Sequence, residues 1–571
     1  MGSATQAHAP LPSPRRSRAV FRHDVLALLG LGLVLGLACR GHFAVPYADF
    51  TEFVDSGHAM WQGELPQTLK RAPVYSLLVV TLGHLLPVDA PDRVAAEWFN
   101  ALLLPLNGLL IYLVGRRWCG AGARWAAVWF LLLPIGVFCT AHLIVEPLLM
   151  GLILLTILGA QRGSLWAYVA AAVATMTRFD AAGLIVGLCV ADLLQRRSVA
   201  RTLLRTALAA APLVIWLALT ALTWRERSAD HYLLQIAEQP CFDLAWAVDI
   251  VVRMSLGLHG LQMVGPFSSL APLVQYAVLA GATGLAVIGF VVQLRAREPA
   301  TVTAAIMLAS YVIVHTVFPW QFDRFGYPPA PLLILGAGVG LRVVVRWFRL
   351  SGARRSVLKP LLWFGGFLSV MVLVAKAEAL SFAFGGHERF AGRAALLGLV
   401  ALVVVWVGSL MRRGRRLGHL VLLLGSLSLL TVQVQRGAAL LGTGQELRNL
   451  IEAARWIRLH TPPEDCVLSA TPGLFRLQVG RKPPDRFVGY QAIEAERWPD
   501  IVAECRRRGI GTIVWHDALR QVHGSYYGEK LRLGRFEPLA RAESAEGVLV
   551  ERHFPGQPHV TIVRVLPATG D

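Results

Sequence analysis

Arginine clusters close alternate ends of a long series of apolar stretches, and that alternation leaves few folds open. Apolar stretches near the length needed to cross a bilayer, joined by short basic loops, are the signature of helices threaded back and forth through a membrane with the basic loops inside. The clusters are Arg15, Arg16, Arg18 and Arg22; Arg116, Arg117 and Arg124; Arg162; Arg196, Arg197, Arg201 and Arg205. They continue with Arg295 and Arg297; Arg342, Arg346, Arg349, Arg354 and Arg355; and Arg412, Arg413, Arg415 and Arg416. Composition agrees, because 55% of the 571 residues are hydrophobic and only 16% charged, a balance foreign to a soluble globular enzyme. The net charge of +19 would suit a nucleic-acid binder, but it sits in loops between apolar stretches, where it orients spans. No nucleic-acid partner is expected.

Threading every arginine cluster to the cytoplasmic side gives an α-helical polytopic membrane protein with about thirteen transmembrane helices. Residues 1–20 form a cytoplasmic basic tail, and residues near 21–41 the first span. The stretch 72–87 is about 16 residues, short of the ~20 that span a bilayer, and crossing there would put Arg116, Arg117 and Arg124 outside. Residues 42–93 therefore read as an outer loop holding an interfacial helix. Further spans follow near 94–114, 125–141, 146–160, 166–177, 181–194 and 207–223, then a second outer loop over 224–270. The series closes with spans near 271–293, 300–318, 328–341, 360–376, 393–411 and 417–434. The transmembrane domain thus covers 21–440. From 441 to 571 the pattern changes to alternating helix and strand: an amphipathic helix over 444–461, strands at 465–470 and 511–517 with a helical segment 494–508 between them, and two closing strands. This is a small α/β domain, placed outside the membrane by the threading. Arginine, alanine, leucine and glycine bias, with five lysines in all, points to a bacterial cytoplasmic membrane. Seven cysteines show no metal-ligand spacing; Cys466 and Cys505 stand either as a disulfide or as two unpaired thiols.

The same threading gathers the costly carboxylates at one interface, since Asp49, Glu146, Asp180 and Asp323 all fall at the outer ends. Ionisable groups at membrane depth mark binding or chemistry. In PYADFTEFVD, Asp49, Glu52 and Asp55 recur every three residues, so a helix is expected to bring all three near one face. Asp49, just beyond the first span, is partly desolvated and within reach of a lipid headgroup, which suits a general base; an ordinary loop helix with surface acids is the equal alternative. In TAHLIVEPLLM, His142 and Glu146 stand at i and i+4, where one helix face would orient an acceptor or hold a divalent metal. TRFDAAG brings Arg178 and Asp180 to a turn where an arginine suits a phosphate, and FPWQFDRFGYPP repeats the theme with Asp323, Arg324 and Tyr327. Tight turns and interfacial aromatics account for part of both patterns.

These segments, in this order, resemble the GT-C superfamily of integral membrane glycosyltransferases, of the protein O-mannosyltransferase and lipid A aminoarabinose transferase-like type. The resemblance rests on Asp49, Ala59, Gly63 and RAPVYSLL, then Glu146, Arg178, and the Arg324–Phe325 and Pro328 element. The chain departs from many relatives in having Asp49–Phe50 in place of an Asp-Glu pair, and a single Pro73 before the aromatic.

The resemblance implies transfer of a sugar from a polyprenyl-phosphate-linked donor to a lipid, protein or polysaccharide acceptor on the outer face of the membrane, with inversion. In that scheme Asp49 is the catalytic base. Glu52, Asp55, His142, Glu146 and Asp180 orient acceptor or donor, and Arg71, Arg178 and Arg324 bind the donor phosphate. No D-x-D-type pair is evident, so no metal or other cofactor is expected. Two other functions remain open on the sequence: a membrane transporter or lipid flippase, which ordinarily carries its ionisable groups near the midplane, and a catalytically degenerate scaffold of the same fold.

Overall fold

The structure, a computed structural model, describes residues 14–40, 49–66, 69, 71–88, 91–223, 270–317, 326–350, 448–470, 475, 486–516, 533–541, 547–554 and 559–567. Asp323, Arg324, the loop 224–269, Cys241 and the last three expected spans lie outside these residues.

Ten helices come first: α1 (Pro14–Cys39), α2 (Asp49–Trp61), α3 (Pro73–His84), α4 (Pro91–Cys119), α5 (Ala123–Leu131), α6 (Pro134–Ala141), α7 (Glu146–Arg162), α8 (Trp166–Thr175), α9 (Gly183–Leu194) and α10 (Val199–Thr223). Then follow α11 (Leu270–Arg295), α12 (Pro299–Val317) and α13 (Ala330–Leu350). Among the described residues four helices, α1, α4, α10 and α13, are long and apolar enough to cross a membrane, or five if the bent α5–α6 pair is one span. Prolines open several of them: Pro73, Pro91, Pro134 and Pro299 stand at the first helical position and Pro147 at the second of α7. A first-turn residue has no intrahelical use for its N–H, and the ring fixes a helical φ, so proline starts these helices without cost.

Helix α4 is the hub, in contact with α1, α3, α5, α7 and α13. Its approach to α1 depends on absent side chains. A Cβ on Gly32 would lie 2.5 Å from the Pro105 Cα, and one on Gly36 would lie 2.2 Å from the Ala101 carbonyl oxygen. Two glycines four residues apart form the small-residue seam that lets membrane helices touch backbone to backbone. Behind α4, the buried Ile111, Phe130, Leu131, Leu149, Ile153, Met307, Tyr311 and Tyr327 fill a continuous core reaching α7, α12 and α13.

The expected span 125–141 is two helices bent by 54°. Proline explains the break: Pro134 disfavours a helical residue before it, and Leu133 is extended, at φ −64° and ψ 124°. A second break follows at 142–145, between α6 and α7, where Leu143 takes a positive φ of 58°.

The C-terminal residues build a small α/β layer. Helix α14 (Arg448–His460) leads into β1 (Cys466–Ser469), β2 (Phe487–Gly489), α15 (Trp498–Arg507), β3 (Ile510–His516), β4 (Val548–Phe554) and β5 (Val560–Val565). The sheet order is β2-β1-β3-β5-β4, with β1 parallel to β2 and β3, and β5 antiparallel to β3 and β4. Alternation along the strands assigns the layers. Leu468, Ile513, Trp515 and Val563 pack with Ile501, Val502 and Cys505 of α15. Val467, Val514, Val560 and Ile562 pack with Leu450, Ala453, Ala454 and Ile457 of α14. Helices thus cover both faces of this mixed sheet, as its parallel β2-β1-β3 half requires. Cys466 and Cys505 are both buried free thiols.

Candidate active site

The acids meet at the end of the bundle opposite the arginine clusters. Helices α2, α3 and α7 start there and α8 and α12 finish there, whereas Arg116, Arg117 and Arg162 lie in the last turns of α4 and α7 at the far end. Two arginines organise the near end, each holding two carboxylates.

Arg71 lies in the turn before α3. Its Nη2 is 2.7 Å from Asp49 Oδ1 and its Nε donates to Glu52 Oε2 at 2.7 Å. Asp49 and Glu52 share the first turn of α2, where the positive end of the helix dipole favours negative charge. The arginine is buried, with 9% of its side chain exposed, while Glu52 keeps 41% in solvent and Asp49 17%. The turn itself is pinned from α10, since Trp216 Nε1 donates to the Leu69 carbonyl at 3.2 Å.

Arg178 follows α8 in an extended conformation, φ −152° and ψ 133°. Its Nη1 donates to Glu146 Oε1 at 2.8 Å, and its Nη2 and Nε donate to Asp180 Oδ2 at 2.8 and 3.1 Å. His315, near the end of α12, completes the group with Nε2 3.2 Å from Asp180 Oδ2. This group is sealed: Glu146 is fully buried, and Asp180 and His315 keep 6% and 4% of their side chains exposed. Burial pushes the Asp180 carboxyl upward, but the Arg178 guanidinium and the His315 hydrogen bond outweigh it and hold the group at about 2. Asp180 thus anchors Arg178 through two of its nitrogens.

Backbone and core join the two groups. The Val74 amide at the start of α3 donates to the Met176 carbonyl, two residues before Arg178, at 3.1 Å. Tyr75, fully buried, donates its hydroxyl to the Leu143 carbonyl at 2.9 Å and meets the Phe53 ring of α2 edge-on at 5.2 Å.

Two sequence expectations change. Asp55 lies on the exposed side of α2, away from the face that carries Asp49. Each three-residue step falls about 60° short of a full turn, so two steps carry Asp55 roughly 120° away from Asp49. His142 and Glu146 do not share a helix face, because α6 ends at Ala141 and α7 begins at Glu146. The His142 ring meets Phe138 at a tilt of 49°, with ring centroids 4.2 Å apart, and among the described residues no group of three or more His, Cys, Asp or Glu side chains is arranged to hold a metal ion. His315 was not picked out from the sequence; its signal is a histidine near the acid-bearing end of an apolar helix, a position costly for a polar ring without a partner.

The fold has a precedent among solved structures. ArnT from Cupriavidus metallidurans bound to undecaprenyl phosphate matches with a TM-score of 0.57 at 15% identity, over 95% of this chain and 98% of that one. The apo state of the same protein matches with a TM-score of 0.53 at 16% identity, over the same shares. No protein-family model matches the chain, and no curated protein matches its sequence. The chain has the GT-C fold that its sequence resembles.

Proposed function

We propose that this protein is an integral membrane glycosyltransferase of the bacterial cytoplasmic membrane, with its N-terminus inside and its C-terminal α/β domain outside. It moves a sugar from a polyprenyl-phosphate-linked donor to a lipid, protein or polysaccharide acceptor. The observation that carries the reading is the convergence of Asp49, Glu52, Arg71, Glu146, Arg178 and Asp180 at one end of a GT-C bundle. The lipid-phosphate class of donor is supported by the undecaprenyl phosphate bound to the ArnT structure of the same fold.

In this reading the acceptor hydroxyl attacks the anomeric carbon as its proton passes to Asp49. The bond from that carbon to the phosphate oxygen breaks, and the polyprenyl phosphate leaves with the electron pair. A single displacement inverts the anomeric centre. Asp49 suits the base because its side chain is partly open to solvent, whereas Glu146 and Asp180 are sealed behind Arg178. Leaving-group charge needs preorganised cations. Arg71 is the arginine best suited to trade a partner for phosphate, because solvent can take over the half-exposed Glu52. Arg178 would strand the buried Glu146 by doing the same, so Glu146 orients the sugar or acceptor through Arg178, the most exposed member of its group. Arg324 is the second phosphate ligand in this proposal.

The test is transfer of labelled sugar from a panel of synthetic polyprenyl-phosphate sugars by the protein in liposomes. Transfer from one donor class names the sugar. Donor binding without transfer, for every donor and acceptor fraction tried, would replace the enzyme with a scaffold of the same fold.

A further inference from the structure

Glu146 stands at the edge of a break that the chain does not adopt readily. Helix α6 has ended, α7 has not begun, and Leu143 sits in the left-handed region, which is costly for a residue with a Cβ. A helix break also leaves carbonyls without their usual donors. Here side chains from α3 and α4 supply donors to Leu143 and Ile144, and a third bonds Pro147 in the first turn of α7. Tyr75 Oη donates to the Leu143 carbonyl at 2.9 Å, Asn100 Nδ2 to the Ile144 carbonyl at 3.1 Å, and Asn107 Nδ2 to the Pro147 carbonyl at 2.9 Å. All three bonds are buried. Asn100 and Asn107 are seven residues apart, two turns along the same face of α4. Room for the second is made by Gly151, where a Cβ would lie 2.7 Å from Asn107 Oδ1.

Tyr75 does more than satisfy a carbonyl. Its ring packs on Phe53, one residue after Glu52, and the preceding amide, Val74, is bonded to Met176, beside Arg178. One residue thus touches the helix that carries Asp49 and the break that carries Glu146. Resting on the glycosyltransferase reading above, we infer that Tyr75 and Asn100 are positioning residues that set Glu146, and through it the more exposed Arg178, against the Asp49–Arg71 group, so that one bound substrate meets Asp49 and Arg178. They touch no reacting atom; they act through the carbonyls of Leu143 and Ile144.

Tyr75→Phe is the sharp variant, because it keeps the ring and its packing and removes only the hydroxyl. If the hydroxyl positions Glu146, kcat falls by on the order of 10- to 100-fold, the scale of a small misplacement at a reacting centre, while KM moves little. In a Glu146→Gln background the same substitution has no further effect on kcat. Asn100→Leu behaves alike. A merely structural role predicts losses that add in the double variant, and that result overturns the inference, as does an unchanged kcat in Tyr75→Phe. A second readout does not depend on turnover. The amides of Leu148 and Leu149 bond to the Val145 carbonyl at 3.1 Å, and their hydrogen exchange should quicken about fivefold in Tyr75→Phe, while that of Cys466–Ser469 stays the same. Wild-type protein that transfers no sugar removes the enzymatic reading and the positioning role with it. Unchanged exchange at Leu148 and Leu149 removes the latch itself, whatever the activity.

Discussion

The Arg71 and Arg178 groups share a core of one arginine between two carboxylates and have opposite environments. His315 joins only the second. Around Arg71 the arginine is buried and the acids reach solvent, Glu52 to 41% of its side chain. Around Arg178 the acids are buried, Glu146 completely, and the arginine is the most exposed member at 19%. Solvent can replace a partner in the first group, so it can exchange ligands at modest cost. In the second group, losing the arginine leaves two carboxylates with the desolvation penalty and no counter-charge. In the proposed reading the difference separates a group that reacts from one that holds.

Three substitutions and two pH experiments probe this separation. The largest expected effect is on stability. Arg178→Met should cost about 3–5 kcal/mol, as removal of one partner from a buried ion pair does, and should show as lost folded yield or a lower Tm in detergent. Arg71→Met, whose stranded acids can hydrate, should cost about 1–2 kcal/mol. Equal costs would erase the distinction. Next comes His516, which closes β3 and which burial lowers to about 4. It is held neutral when folded, so its contribution is present above the ordinary histidine value of about 6.5 and is lost as pH falls toward 4. Protease resistance of the C-terminal strands should decline over that window, and His516→Leu should flatten the decline. Glu52→Gln ranks lower, with a half-exposed ion pair worth at most about 1 kcal/mol, or roughly a fivefold change in transfer.

The smallest effect belongs to His58, at the far end of the helix that carries Asp49. Its Nε2 lies 2.9 Å from Asp92 Oδ2. That hydrogen bond raises the His58 pKa above the usual histidine value, against a burial that lowers it. A raised histidine stabilises fully below its unfolded value and loses the contribution as pH climbs through the raised one. The Tm should therefore slip slightly more between pH 6 and 8 in wild type than in Asp92→Asn. The slope is opposite in sign to that of His516, so the two regions are separable in one titration series.

Much of the near end was legible in the sequence because carboxylates at membrane depth are expensive and stand out against apolar neighbours. Asp49, Glu146, Arg178 and Asp180 announce themselves in that way. Their pairing was not legible: Arg71 and Asp49 are 22 residues apart and Arg178 and Glu146 32, so only the packing of α2, α3, α7 and α8 brings them together. His142 misled because an i, i+4 spacing implies a shared face only inside one helix, and the break at 142–145 removes that premise. Pro134 and Pro147 were the available warning. In the C-terminal layer the strands that lie in apolar, β-branched stretches, β1, β3, β4 and β5, were readable, whereas β2 was not, since its three residues are too short a run.

The central claim is that the Arg71 group reacts and the Arg178 group holds, and one paired comparison tests it. Transfer from a polyprenyl-phosphate donor and Tm would be measured on the same preparations of Asp49→Asn and Asp180→Asn. The account predicts that Asp49→Asn loses transfer by on the order of 10²–10⁴ with Tm almost unchanged, and that Asp180→Asn loses Tm first. Full transfer by Asp49→Asn would contradict it, and the base would have to be sought elsewhere.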